Sequence, residues 1–390
     1  MFDSKCEGDV LTIYLTGHID TNNAEQTEKD LNLIRSQHPE AHTVLDAEKL
    51  EYISSAGLRI ILRIRKSDDQ LKIINVIPEV YEVFDMTGFA EMMTVEKAYR
   101  KLSVDGCEIL GQGSNGVVYR YDPETVIKVY RNPDALDDIQ RERELARKAL
   151  VLGIPTAIPF DVVKVGDHYA SVFELLNAKS FSKLIKAEPE NMDHYVKLFV
   201  DLLKQIHSTE VKPTDMPNMK DVAVGWAEFL KDYLPKEEAD KLYNMIKAVP
   251  DRLTMIHGDY HTNNVEMQKG EVLLIDMDTL SYGHPIFELG SMFNAFVGFG
   301  ETDPEITEKF MKLPYETTKQ IWAKSLRLYL NTDDEARIKD VETKAEIIGY
   351  ARMLRRTIRR LKDTEEGQKM ISCYKQHLLE LIPTVDTLDF

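Results

Sequence analysis

The sequence has few cysteines and no long apolar run. Its 390 residues include three cysteines, Cys6, Cys107 and Cys373, which are far apart and odd in number. This pattern argues against a disulfide framework or a zinc cluster and is typical of reduced thiols. No stretch approaches the ~20 apolar residues of a membrane span, and the opening MFDSKCEGDVLTIYLTG lacks the basic-then-apolar order of a signal peptide. We therefore expect a cytoplasmic protein that does not interact with membranes.

Basic residues are also in deficit. The chain has 49 lysines and arginines against 66 aspartates and glutamates, a net charge of -17. Such a charge argues against a general affinity for nucleic acid or for anionic membranes. Hydrophobic residues make up 43% of the chain, as in globular proteins, and its length predicts two or three domains.

Strand and helix patterns alternate over the first hundred residues. VLTIYLTG alternates apolar with polar residues, HTVLDAE and LKIINV also have strand character, and helical spacing follows from Ala56 and from near Pro78. This order predicts a small α/β domain. We expect TVEKAYRKL to form its last helix and place the domain boundary near Ser103, so that the first domain covers residues 1–103.

The stretch EYISSAGLRI places two serines at the predicted start of a helix. One interpretation is that Ser54 or Ser55 caps the helix, its hydroxyl accepting a hydrogen bond from a backbone amide. The other is that a serine here carries a phosphate, which the amides and dipole of a helix N-terminus stabilise. The sequence leaves both open.

This first domain resembles a STAS domain, the fold of anti-sigma-factor antagonists. The resemblance rests on LTGHID, YISSAGLR and PEVYEVFDMTGF. It implies a regulatory module that docks a protein partner, either an anti-sigma factor or a kinase. Gly57 fixes the register and makes Ser55 the residue that matches the family's phosphorylated serine, so Ser55 is the candidate phosphoacceptor. The aspartate that usually precedes that serine is Ser54 here.

A glycine-rich stretch opens the second part of the chain. In ILGQGSNGVVYR, Gly111, Gly113 and Gly116 form a G-x-G-x-x-G pattern that continues into the β-branched VVYRY. A dinucleotide-binding fingerprint would open a helix, so this context favours a strand-turn-strand flap whose backbone amides approach nucleotide phosphates. Lys128 follows inside the apolar strand VIKVY. It is either a lysine aimed at the phosphates or one that merely extends to solvent.

A lysine that binds phosphate needs a carboxylate to hold it. The predicted helix DIQRERELARKAL offers Glu142 and Glu144, and the apolar residues of this helix share a face with Glu142 only. We therefore choose Glu142 as the partner of Lys128. The alternative is that Glu142 is one more solvated charge on the helix.

The segments MIHGDYHTNNVEM and VLLIDMD carry the strongest signal. Phosphoryl transfer needs a carboxylate to orient the attacking hydroxyl and accept its proton, and oxygen ligands to hold magnesium. Asp259 suits the first task, and Asn264 with Asp276 suits the second. A zinc site at His257 and His261 is disfavoured, because the intervening glycine favours a loop and H-E-x-x-H is absent. We expect these histidines to brace the loop.

Residues 104–390 resemble the aminoglycoside phosphotransferase and choline kinase group of the protein kinase-like fold. The resemblance rests on the glycine-rich stretch, on Lys128 and on HGDYHTNN with the strand-ending Asp276. It implies an α+β two-lobed domain that binds ATP and Mg²⁺, with a small lobe at about 104–176 and a large lobe at about 177–390. It also makes SVFELLNAKS the hinge, so that backbone groups from Glu174 to Leu176 would hold the adenine. One departure is Glu288, where the family has an aspartate.

These features lead to the expectation of an ATP- and Mg²⁺-dependent phosphotransferase that acts on a hydroxyl of a small molecule and carries a STAS regulatory module. One alternative is a protein-serine kinase or self-phosphorylating protein that acts on Ser55. Another is a regulatory protein that binds nucleotide without turnover.

One helical segment, YARMLRRTIRRLKD, bears on the substrate. Its arginines follow helical spacing and form one cationic stripe: Arg352, Arg355, Arg356, Arg359 and Arg360. The stripe is either a solvated face or a binding surface. In both cases its positive charge would repel a polycationic antibiotic, so the sequence leaves the identity of the acceptor substrate open.

Overall fold

The computed structural model describes residues 2–113 and 115–390 and divides into two compact units. The first reaches to Ser103 and includes Val162–Asp167, and the second comprises Val104–Asp161 and His168–Phe390. Cys6, Cys107 and Cys373 are free thiols. No helix in the described ranges is both long enough and apolar enough to cross a bilayer.

The first unit is built on a sheet of five strands with the order β1-β2-β3-β4-β5. β1 and β2 are antiparallel, and the other neighbours are parallel. The strands are β1 Asp3–Glu7, β2 Val10–Ile19, β3 His42–Ile53, β4 Lys72–Val76 and β5 Thr94–Lys97. The helices are α1 Ala24–Ser36, α2 Ser55–Ser67, α3 Pro78–Met86 and α4 Phe89–Met92.

The alternating pattern of β2 explains how this unit forms a core. Leu11, Ile13 and Leu15 are buried, whereas the intervening residues are more exposed, because successive side chains of a strand point to opposite faces. The parallel strand β3 continues to Ile53, well beyond the predicted HTVLDAE, and irregularities in its register with β2 accompany this length. Helix α2 buries Leu58, Ile61 and neighbouring apolar residues in the same core.

The prediction of a helix at TVEKAYRKL is wrong. Residues Thr94–Lys97 form β5, and Arg100–Leu102 form a further short strand, β6. β5 pairs with β4 through Thr94 and Val95, so its backbone groups bond along the open edge of the sheet. Local helical spacing is a weak preference, and pairing with an existing sheet edge overrides it. β6 pairs in parallel with Val163–Val165.

The second unit begins with four antiparallel strands in the order β7-β8-β9-β11. One long helix, α5, lies between β9 and β10 in the chain. The bounds are β7 Glu108–Gln112, β8 Gly116–Arg120, β9 Thr125–Tyr130, α5 Leu136–Val151, β10 Pro159–Val165 and β11 His168–Glu174. The prediction of a strand-turn-strand flap at the glycines is thus confirmed.

The rest of the second unit is mainly helical and holds the larger apolar core. Its helices are α6 Phe181–Ala187, α7 Met192–Ser208, α8 Met219–Leu230, α9 Lys236–Ala248, α10 Ile286–Phe296, α11 Pro304–Met311, α12 Tyr315–Leu330, α13 Glu335–Leu361 and α14 Glu365–Leu381. Short strands lie between these helices. Directly before α6 comes β12 Lys179–Ser180, and between α9 and α10 come β13 Met255–Ile256, β14 Val265–Gln268, β15 Glu271–Leu274 and β16 Ser281–Tyr282. The β14-β15 hairpin and the β13-β16 pair frame the loop that follows β13.

The two serines at the start of α2 have different surroundings. Ser54 is the N-cap, and its Oγ accepts a hydrogen bond from the backbone amide of Gly57 at 3.5 Å. Ser55 is the first residue of the helix, and its side chain is exposed. The capping role therefore belongs to Ser54, which leaves the Ser55 hydroxyl accessible at the helix N-terminus.

We expect Ser54→Ala to destabilise the start of α2 and Ser55→Ala to leave it nearly unchanged. Losing a serine N-cap typically costs about 0.5–2 kcal/mol, because an amide loses its acceptor. Hydrogen–deuterium exchange of the full chain measures this locally, as faster exchange in the first turn of α2 in the Ser54 variant. Equal acceleration in both variants would contradict the assignment of the cap.

Candidate active site

The glycine-rich hairpin β7-β8 forms one wall of a cavity, and its glycines serve different purposes. A Cβ atom on Gly116 would lie 2.3 Å from the carbonyl oxygen of Val129 in β9, so packing within the sheet requires glycine there. Over residues 2–113 and 115–390, a Cβ on Gly111 or Gly113 would meet no heavy atom within 4 Å. The space that these described residues leave beside the two glycines lets a ligand approach the backbone closely.

Lys128 and Glu142 form an ion pair in the same cavity. The Lys128 Nζ lies 2.8 Å from Glu142 Oε1 and 3.4 Å from Asp276 Oδ1. Glu142 is 4% exposed and also accepts a hydrogen bond from the hydroxyl of Tyr130. Glu144 instead pairs with Lys148 at 2.8 Å. The structure thus brings Lys128 together with the carboxylate chosen from the helix pattern.

The surrounding charges keep Lys128 protonated. Burial by itself lowers the pKa of Lys128, but the Glu142 and Asp276 carboxylates outweigh burial and raise this pKa above its usual value. The pKa of the Tyr130 hydroxyl is likewise raised, by burial and by the charge of Glu142. A permanent positive charge is therefore fixed between β9 and α5.

Asp259 lies in the loop that follows β13, and this loop is held by its own hydrogen bonds. The Asn264 Nδ2 donates to the carbonyl oxygen of Asp259 at 2.9 Å. The Nδ1 of His261 accepts the amide of Asn263, which places the His261 proton on Nε2, 3.5 Å from Asp259 Oδ2. The Nε2 of the other loop histidine, His257, lies 3.2 Å from the Ile275 carbonyl oxygen. Both histidines contact groups of this loop or of the strand beside it.

The carboxyl group of Asp259 is held in its ionised form. Burial raises its pKa, but the neighbouring His261, whose Nε2 lies 3.5 Å from Asp259 Oδ2, and the charge of Arg352 bring this pKa well below the usual range. The side chain is 40% exposed and faces the cavity. Asp259 is thus an available hydrogen-bond acceptor there.

Glu288 fixes the backbone of this loop. Its carboxylate is fully buried at the start of α10 and accepts hydrogen bonds from the amides of His257, Gly258 and Tyr260. The Gly258 carbonyl accepts bonds from Arg352 Nη1 at 2.7 Å and from Ser291 Oγ at 2.9 Å. The loop therefore leaves β13 along one defined path, and the glutamate that departs from the family pattern performs this structural task.

Two aspartates follow β15. Asp276 has a left-handed backbone conformation with φ of 66°, unusual for a residue other than glycine and common at functional sites. Asp278 accepts a hydrogen bond from Asn115 Nδ2 at 3.2 Å. Burial, followed by the nearby charges of Asp276 and Glu142, raises the pKa of Asp278 to about 7. This segment concentrates negative charge next to Lys128.

The segment after β11 contributes backbone and apolar groups to the cavity. The amide of Glu174 donates to the Ile158 carbonyl at 3.0 Å, and that of Leu175 donates to the Glu124 carbonyl at 2.7 Å. Over the described residues, the amide of Leu176 donates no hydrogen bond. Leu176 therefore retains a backbone donor at the cavity edge.

The residues that the sequence nominated in the second unit share one cavity of about 560 Å³. They are Gly111, Gly113, Gly116, Lys128, Glu142, Glu174, Leu176, Asp259, Asn264 and Asp276. Apolar side chains complete the lining, among them Val118, Phe173 and Met277. Ser55 belongs to the first unit.

Two residues that contact the lining of this cavity were not predicted from the sequence: Tyr130 donates a hydrogen bond to Glu142, and Asp278 accepts one from Asn115. Tyr130 lies two positions after Lys128 in β9, so strand periodicity places both on one face and gives a usable signal. Asp278 lies two positions after Asp276 in VLLIDMD. Its hydrogen bond to Asn115 joins segments 163 positions apart, and no local pattern indicates that contact.

Comparisons with known proteins agree with these observations. A family model described as the phosphotransferase enzyme family matches residues 105–312, and a STAS domain model matches residues 1–102. A Bordetella bronchiseptica protein named as an anti-sigma factor antagonist, BtrV, is 37% identical over 90 residues, 22% of this chain and 77% of BtrV. The two expected domain types, and the α/β STAS and kinase-like folds that they imply, are thus confirmed.

Solved structures also resemble the chain. ADP-bound aminoglycoside phosphotransferase APH(2'')-Ib is 16% identical, with a TM-score of 0.48, covering 77% of this chain and 98% of its own. A choline/ethanolamine kinase family protein from Mesorhizobium loti is 13% identical, with a TM-score of 0.45, covering 71% of this chain and 87% of its own.

We expect Gly113→Ala and Gly116→Ala to separate ligand binding from folding. The Gly116 variant forces a Cβ against the Val129 carbonyl, and overpacking of this kind costs about 1–3 kcal/mol. The Gly113 variant should keep the parent's melting temperature but bind nucleotide about tenfold more weakly, equivalent to ~1.4 kcal/mol. Thermal unfolding and calorimetric titration measure the two effects. A Gly113 variant with full nucleotide affinity would contradict this division.

Proposed function

Because the chain belongs to the phosphotransferase enzyme family, we propose that it transfers the γ-phosphoryl group of ATP to a hydroxyl of a small molecule, with Mg²⁺ as cofactor. One observation carries the proposal. The nominated glycines, the Lys128–Glu142 pair, the hinge residues and the polar residues of the catalytic loop all line a single cavity. The residues proposed to bind the nucleotide and the ionised carboxylate of Asp259 therefore face the same cavity.

The cavity suits a nucleotide along its whole length. The adenine would lie among the apolar side chains, within reach of the free amide of Leu176 and the backbone of Glu174. The phosphates would lie beside Gly111 and Gly113, where the protein leaves room, and next to the fixed charge of Lys128. Glu142 would keep Lys128 in position.

The polar side chains at the cavity's other end suit magnesium. Asp276 and Asn264 offer the carboxylate and amide oxygens that Mg²⁺ prefers, and both line the cavity. When bound there, the ion would neutralise negative charge on the phosphates. The αL conformation of Asp276 is maintained by the surrounding fold, which fits a residue held for binding.

Asp259 is the proposed catalytic residue. Its ionised carboxylate orients the acceptor hydroxyl and accepts the hydroxyl proton. The acceptor oxygen forms a bond to the γ-phosphorus while the bond from that phosphorus to the bridging oxygen breaks, and ADP leaves with the bond's electrons. His261 and Arg352 keep this carboxylate ionised, and Asn264 and Glu288 hold its backbone.

We propose that residues 1–103 form a regulatory module that docks a protein partner, an anti-sigma factor or a kinase. The 37% identity to BtrV supports this role. The exposed hydroxyl of Ser55 at a helix N-terminus makes it the candidate phosphoacceptor. The phosphotransferase domain would then comprise residues 104–390, with its small lobe ending near 176.

We expect Asp259→Asn to abolish transfer while largely sparing nucleotide affinity. The substitution removes the proton acceptor and leaves the proposed phosphate contacts in place, and loss of a general base typically costs ~10²-fold or more. The measurement is Mg²⁺-dependent ADP release over a panel of hydroxyl compounds, with ADP affinity determined in parallel. Rates within a few-fold of the parent would show that Asp259 has a different role. A parent that binds nucleotide without any turnover would favour a purely regulatory protein.

Asp276→Asn should raise the magnesium concentration needed for half-maximal rate. A neutral amide is a poorer ligand for a hard cation than a carboxylate. Magnesium titrations of the parent and the variant at saturating ATP give this quantity directly, and Asp303→Asn, an exposed cap residue of α11, is the matched control. Overlapping titrations of the Asp276 variant and the parent would overturn the metal assignment.

A further inference from the structure

A second cavity, of about 480 Å³, lies along α13 and is lined mainly by guanidinium groups. Its residues include Arg352, Arg355, Arg356, Arg359 and Arg360, and we call it the arginine cavity. The cationic stripe of the sequence thus borders a cavity, and no carboxylate is among the described residues that line it.

In the parts of the chain that are described, none of these five arginines forms an ion pair with a carboxylate, although acidic residues outnumber basic ones by 66 to 49. Arg327, by contrast, pairs with both Asp333 and Glu335. The Nε of Arg355 is buried and, over the same residues, has no hydrogen-bond partner. Leaving a buried donor without a partner is unfavourable, and the adjacent positive charges repel one another, so this arrangement fits a site that an anion completes.

The neighbouring positive charges in the cavity affect the pKa values of two of its arginines. Burial, and then the charge of Arg359, lowers the pKa of Arg355. Burial, with the charges of Arg360 and Arg352, does the same for Arg356. A bound anion would relieve both effects.

Aromatic rings position the guanidinium groups without neutralising them. Arg352 lies 5.8 Å from the ring centroid of Trp226, and Arg355 lies 5.9 Å from that of Phe229. Such contacts hold the planar groups in place while their N–H donors stay available. Planar guanidinium groups bind phosphate through paired N–H···O bonds.

The arginine cavity adjoins the catalytic loop. Arg352 Nη1 donates to the carbonyl oxygen of Gly258, the residue before Asp259. Asn115, from the glycine-rich turn, lines both the arginine cavity and the nucleotide cavity. One ligand could therefore bind Arg355 and Arg359 through an anionic group and direct a hydroxyl towards Asp259.

We propose that the arginine cavity binds a phosphate group of the acceptor, so that the substrate is a small hydroxyl compound that already carries phosphate. This inference rests on the proposed function and specifies its acceptor. The phosphate already present is not altered, since only the free hydroxyl gains the γ-phosphoryl group and loses its proton to Asp259. A polycationic acceptor is excluded because it would add positive charge to an unpaired cluster.

Binding of inorganic pyrophosphate to the full chain tests the cavity independently of turnover. The nucleotide cavity is first saturated with ADP and Mg²⁺, and pyrophosphate is then titrated by calorimetry into the parent and into the double variant Arg355→Gln, Arg359→Gln. The control is Arg337→Gln, an exposed arginine on the same helix outside the cavity. We expect the double variant to bind about tenfold or more weakly and the control to match the parent. Absence of binding to the ADP-saturated parent, or equal binding by the double variant, would overturn the proposal.

A second measurement asks which molecule bears the phosphate. Transfer from ATP is compared for matched alcohols with and without phosphate, beginning with glycerol and glycerol 3-phosphate, and for a phosphoserine peptide. We expect lower KM for the phosphorylated small alcohols in the parent, and loss of this preference in the double variant. Equal use of neutral alcohols would refute the acceptor while leaving the proposed function intact. Preference for the peptide would assign the cavity to a protein substrate instead. Absence of transfer to any compound, with pyrophosphate binding retained, would refute the proposed function and the acceptor that depends on it, and would leave the arginine cavity as an anion-binding site.

Discussion

The geometry of the candidate active site depends on one buried carboxylate. Glu288, which is not among the described residues that line the cavity, accepts hydrogen bonds from the backbone amides of His257, Gly258 and Tyr260. Burial raises the pKa of Glu288, but His207, whose Nε2 lies 3.9 Å from Glu288 Oε2, the charge of His257 and the backbone amides more than compensate and keep this pKa low. Because the loop backbone is fixed in this way, Asp259 is held in one orientation.

The second unit separates its charges into two neighbouring regions. Around Lys128, the carboxylates of Glu142, Asp276 and Asp278 are in excess, and burial together with the charges of Asp276 and Glu142 raises the pKa of Asp278. Such a region is completed by cations, which suits magnesium together with the phosphates that accompany it. The arginine cavity, by contrast, concentrates positive charge and would be completed by an anion. Asn115 lines both regions, so a hydroxyl compound with phosphate would connect them.

Much of the candidate site could be predicted from the sequence, because its chemistry is carried by short segments. The segment HGDYHTNN places Asp259 and Asn264 within one loop. The glycine pattern could be identified as part of a hairpin because β-branched residues follow it. Glu142 could be chosen over Glu144 because helix periodicity places only one of them on the apolar face. The prediction of a helix at TVEKAYRKL was wrong because this segment pairs with β4 at the edge of the sheet, and residue spacing along the chain does not indicate such a pairing.

The sequence by itself determined the two domain types, the residue types of the candidate active site and the cationic stripe, because strand alternation, helix periodicity and loop motifs are local properties of the chain. Only the tertiary structure decided which serine caps α2, that Asp278 contacts Asn115, and that the stripe borders a cavity. These features depend on contacts between distant segments. Whether Arg355 meets a carboxylate, an aromatic ring or open space is set by which helices pack beside α13, and no spacing along the chain encodes that.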